Sequence, residues 1–109
     1  MTTIMIIRSK NGNYKQMTCM GHAGYADAGE DIVCAAISML VINTINSLEV
    51  LTDAKMQVDV KEDTGRIGLV FEEDLKKDGV LLMDSLVLGL KGIVKQYGRQ
   101  YLKLKFREV

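Results

Sequence analysis

The chain has 109 residues, 48% hydrophobic and 26% charged, with fourteen basic residues balancing fourteen acidic ones. That length suits one domain, residues 1–109, with a single modest core, and the composition excludes a disordered protein. Zero net charge removes any broad electrostatic drive toward nucleic acid or an anionic membrane, so neither is an expected partner.

In chain order, Met1 to Arg8 has no basic segment leading into a long apolar core, so no signal peptide is expected. Ile4–Ile7 is a short β-branched run closed by Ser9-Lys10-Asn11-Gly12-Asn13. Asn-Gly is a strong hairpin signal, because a type I′ turn needs positive φ at both central residues. Tyr14–Met20 returns as the antiparallel partner, with Met17 and Cys19 on one face and Thr18 and Met20 on the other. A glycine-punctuated stretch from Gly21 to Gly29 follows and fits neither a stable helix nor a strand interior.

Asp31 is placed to cap a helix running from Ile32 to about Leu51. Ile37, Val41, Ile45 and Leu48 form its stripe, and its early turns are apolar nearly all round. Such a helix is expected either to lie centrally or to turn one face to a second subunit. Uninterrupted apolar runs stay well below the roughly 18 residues of a membrane span. Met56–Lys61 alternates, with Met56, Val58 and Val60 inward. Glu62–Gly65 is a turn, and Ile67, Leu69 and Phe71 alternate again. A second helix is expected from about Leu75 to Tyr97, on a stripe of Leu82, Leu86, Leu90, Ile93 and Tyr97, ended by Gly98. Leu102, Leu104 and Phe106 then alternate with Lys103, Lys105 and Arg107, which read as a solvated strand face. The order β-β-α-β-β-α-β predicts an α+β domain: a mostly antiparallel sheet with two helices packed on one face.

The residues that carry chemistry converge on Gly21–Ser38. This stretch holds the one histidine, His22, and one of two cysteines, Cys34. Two cysteines without an export signal point to a reducing cytoplasm. The chain has no close-spaced ligand cluster, so no metal is expected. A thiol in the first helical turn lies near unpaired N–H groups and the positive end of the helix dipole, which favour the thiolate. His22 can pair with it, so Cys34 as nucleophile and His22 as base and then acid form a coherent acyl-transfer site. The same N–H groups can hold an oxyanion. The pattern equally accommodates a Cys34 packed as a small hydrophobe and a His22 that is simply hydrogen-bonded in its loop. Asp31 either caps the helix, orients the imidazole, or does both. Ser38, one turn beyond Cys34 on the same face, either serves the site or bonds back to the helix carbonyl. Cys19, inside a strand, reads as packing.

Gly21-His22-Ala23, followed by Gly29-Glu30-Asp31-Ile32-Val33-Cys34-Ala35-Ala36-Ile37-Ser38, resembles the signature of the Prp family, the ribosomal-processing cysteine proteases. The twelve-residue step from His22 to Cys34 and the run Asp-Ile-Val-Cys-Ala-Ala are the specific parts, and length and element order are similar as well. The resemblance implies a cytoplasmic, cofactor-free endopeptidase with a Cys34–His22 dyad, typically homodimeric. Its implied substrate is the N-terminal extension of large-subunit ribosomal protein twenty-seven, cut after an apolar stretch ending in aromatic residues. On that view the Gly21–Gly29 loop closes over bound peptide with Gly21 as its hinge. The rivals are a non-catalytic ribosome-assembly or peptide-binding module, and a thioesterase using the same dyad.

Overall fold

Period-two alternation sets the strand faces, and the computed structural model follows it through residues 1–21, 28–61 and 63–109, with residues 28–31 described by backbone alone. The elements are β1 (Thr2–Arg8), β2 (Tyr14–Met20), α1 (Ala28–Leu51), β3 (Met56–Lys61), β4 (Arg66–Phe71), α2 (Lys77–Tyr97) and β5 (Leu102–Glu108). They form one sheet of order β3-β4-β2-β1-β5. Every neighbouring pair is antiparallel except β1 and β5. The expected α+β order and the mostly antiparallel sheet are both found.

Ile4, Ile6, Met17, Cys19, Leu69 and Leu102 share one sheet face and are buried in a single cluster with residues of both helices. From α1 that cluster takes Ile37, Val41, Ile45 and Leu48, the expected stripe. Full burial of a side chain of this size contributes roughly 1.5–3 kcal/mol. On length and composition Ile32–Leu51 would suffice to cross a bilayer, with mean hydropathy 1.6; counting only uninterrupted runs missed this. Its buried stripe makes it a core helix.

Several local expectations change. The first hairpin has a longer loop than a two-residue type I′ turn. Gly12 N–H donates to Ser9 O at 2.9 Å and Ser9 N–H to Asn13 O at 2.8 Å. Only Gly12 in this loop has positive φ, +87°, so Asn11 avoids the left-handed region. Helix α1 starts at Ala28, so Asp31 lies inside the helix and is not its N-cap; Ala28 and Glu30 are strong helix formers that carry it across Gly29. Helix α2 starts at Lys77 rather than Leu75. The Leu75 backbone is held outside it by Asn13, whose side chain accepts from Leu75 N–H and donates to Leu75 O, both at 3.3 Å. In α2, Leu86, Leu90 and Ile93 of the expected stripe are buried, Met83 and Val87 join them, Leu82 is half-buried against the core and Tyr97 is exposed, while Gly98 ends the helix with its N–H on Val94 O at 2.9 Å. On β3, Val58 and Val60 face the helix side as expected, paired with Leu69 and Ile67. They are nonetheless exposed, Val60 at 58%, because β3 is an edge strand that the helices leave uncovered.

Candidate active site

Helix α1 places Cys34 as its seventh residue, in the second turn. Cys34 was expected in the first turn, where the dipole effect of a helix end is strongest, and it lies one turn further in. The thiol meets β1. Thr2 Oγ1 lies 3.4 Å from Cys34 Sγ, within hydrogen-bonding distance. Thr2 is only 3% exposed. Its N–H donates to Tyr101 O at 3.1 Å, and it pairs with Leu102 at the start of the parallel β1–β5 ladder.

Cys34 is half-buried and lines a cavity of about 160 Å³. Ser38 lines the same cavity one turn on and is exposed. Bonds back to helix carbonyls are made further along by Thr44 to Leu40 O and Thr52 to Leu48 O. Across the cavity, β3 contributes Val60 and Lys61, and β4 contributes Arg66 and Ile67. Arg66 is held by Asp59, with 3.1 Å between guanidinium and carboxylate. The lining therefore joins an apolar surface to a cationic rim.

Cys19 reaches this cavity from β2. Burial, and secondarily the neighbouring Cys34, push its thiol up to about 11. It stays protonated at neutral pH, which fits its expected role in packing. Gly21 closes the end of β2: its N–H donates to Gly65 O at 3.2 Å. Gly65 has φ +66°, and a Cβ there would lie 2.1 Å from Gly21 O. Only glycine fits both the conformation and the approach. A Cβ on Gly21 would in turn meet Thr2 Oγ1 at 3.0 Å.

Cys34, Ser38 and Gly21 are thus brought around one cavity. His22, next after Gly21 in the chain, lies outside the described residues, as do the side chain of Asp31 and most of the Gly21–Gly29 loop. Sequence reasoning missed Thr2 and Gly65. Gly65 was legible as a turn residue; its approach to Gly21 and the meeting of Thr2 with Cys34 are long-range contacts with no local signature.

The α+β fold class thus holds a half-buried thiol, Cys34, on its first helix, opening on a cavity. Comparison with known proteins makes the class specific. The chain belongs to the Prp family: the family model described as "Cysteine protease Prp" matches residues 1–103. It is a cysteine protease, and so a hydrolase. The ribosomal processing cysteine protease Prp of Bacillus subtilis (strain 168) is 29% identical over 96 residues, covering 84% of this chain and 86% of that protein. The protein of the same name from Staphylococcus aureus (strain Mu50 / ATCC 700699) is 23% identical over 97 residues, covering 89% and 92%. Among solved structures, SMU.848 from Streptococcus mutans superimposes with TM-score 0.89 at 29% identity, over 100% of this chain and 96% of that one. The S. aureus Prp in complex with a substrate peptide matches in fold with TM-score 0.91 at 20% identity, over 98% of this chain and 100% of that one.

Proposed function

We propose that this chain removes the N-terminal extension of large-subunit ribosomal protein twenty-seven, with Cys34 as nucleophile and His22 as general base and then acid. The observation that carries the proposal is the position of Cys34, half-buried at a cavity lined by Val60 and Ile67. A peptide laid there can bury an apolar side chain while its carbonyl stands over Sγ. The Cys34 thiolate attacks that carbonyl, and His22 protonates the departing amine. Water, deprotonated by His22, then hydrolyses the thioester and frees Cys34. The relatives named as ribosomal processing proteases support the substrate class. The S. aureus protein has been crystallised with a covalently linked product peptide, which supports covalent catalysis.

The working location is the cytoplasm, where ribosomal proteins assemble, and the working form is a homodimer. Ile32, Met39 and Ile42 are exposed along α1, and the uncovered Val58 and Val60 lie on the same side of the sheet. A second copy of the chain is the occupant that would bury them.

The test is incubation of the ribosomal protein carrying its extension with wild type and with Cys34→Ala, followed by intact mass. One cut at the aromatic end of the extension, absent in the variant, is expected. An uncut substrate with folded enzyme would favour the peptide-binding module. A cut that survives Cys34→Ala would remove Cys34 as nucleophile.

A further inference from the structure

Thr2 is a buried hydroxyl residue whose oxygen stands 3.4 Å from Cys34 Sγ. Its surroundings fix it there. The backbone is held against β5, by the N–H bond to Tyr101 O and by the ladder to Leu102. As a β-branched side chain it has little freedom about χ1. Gly21 closes on the hydroxyl so tightly that even a methyl group there would stand 3.0 Å from it. At 3% exposure the hydroxyl has scant access to bulk water, and a buried hydroxyl needs a partner.

We propose that the Thr2 hydroxyl donates a hydrogen bond to the Cys34 thiolate, fixing Sγ at the cavity and favouring its ionised form. The inference rests on Cys34 being the nucleophile. No proton changes owner: the hydroxyl keeps its hydrogen while Sγ carries the charge, and the bond weakens once Sγ is acylated. Thr2 thereby does part of the work that a helix terminus would do for a thiol in the first turn.

The experiment reads Cys34 directly. Wild type, Thr2→Val and Thr2→Ser are alkylated with iodoacetamide across pH 5–10, and modification is located by peptide mass. Thr2→Val keeps the shape and removes the donor. Its rate at pH 7 should fall on the order of tenfold, the scale of losing one donor to a charged acceptor, and the profile should move to higher pH. Thr2→Ser should restore both. Superimposable profiles for wild type and Thr2→Val would overturn the proposal, as would a Thr2→Ser profile displaced as far as that of Thr2→Val. Circular dichroism checks the fold, and if Thr2→Val does not fold, Thr2→Ala gives the same comparison. Cleavage of the ribosomal substrate is measured alongside. Wild type that fails to cut, with a displaced Thr2→Val profile, would sink the substrate assignment and leave the Thr2 bond standing. Normal cutting by wild type with unmoved profiles would do the reverse.

Discussion

The two helices lie on the same sheet face and are built differently. Helix α2 is amphipathic in the usual way: Met83, Leu86, Val87, Leu90 and Ile93 are buried. Two leucines, Leu81 and Leu88, are exposed on its outer face, and Leu88 is set among Asp84, Ser85, Lys91 and Gly92 at neighbouring helical positions. Helix α1 buries an equally regular stripe but continues apolar on its outer side, through Ile32, Ala35, Ala36, Met39 and Ile42, with Met39 at 65% exposure. A helix that only closes a core has no need of that second stripe. The difference separates the two: α2 holds the sheet, whereas α1 holds the sheet, carries Cys34 to the cavity and leaves a second apolar stripe exposed.

The sharpest way to break this division is through the proposed Cys34–His22 dyad. His22→Ala should lower kcat/KM for the ribosomal substrate by about 10²–10⁴-fold, the contribution of a positioned acid and base, with the melting temperature unchanged. Leu88→Ala, on the outer face of α2, should leave kcat/KM within about twofold, since surface changes away from a site are usually small. Equal losses in both variants would mean that activity follows general integrity rather than a site on α1.

Association should separate the helices next. Met39→Glu puts a charge into the outer stripe of α1 and should convert a dimer to monomer in sedimentation velocity at micromolar concentration. Leu88→Glu, where charges already surround the leucine, should sediment as wild type. A wild-type monomer, or a Leu88→Glu variant that dissociates instead, would assign the second stripe of α1 another role.

How much of this was legible follows from the range of each interaction. Element order, strand faces and the α1 stripe depend on local periodicity, and Ile37, Val41, Ile45 and Leu48 were readable from spacing alone. The start of α1 was misplaced because Asp31 looks like a cap while Ala28-Gly29-Glu30 carries no stop signal. The exposure of Val58 and Val60 depends on which strand sits at the sheet edge, and alternation does not encode that. Cys34 was singled out for its position in the first turn. It lies in the second, and the group the structure sets beside it, Thr2, is 32 residues away in sequence.

The smallest effect concerns alkaline stability, where one group lies under each helix. Cys19 beside α1 is raised from 9.0 to about 11, by burial first and by Cys34 second. Tyr14 is buried, donates to Asp84 of α2 at 2.5 Å, and is raised by burial and by that carboxylate. Both folded values lie above the unfolded ones, so each contribution is complete below the unfolded pKa and is lost as pH climbs through the folded one. For Cys19 that window is pH 9 to 11, and the loss there is at most about 3 kcal/mol at roughly 1.36 kcal/mol per unit. Urea unfolding in the Tyr14→Phe background should therefore still show stability falling across this window. Adding Cys19→Ala should flatten the fall while lowering stability at pH 7, because a small cavity replaces the sulfur. An undiminished slope in the double variant would mean that the thiol under α1 does not set the alkaline limit of the fold.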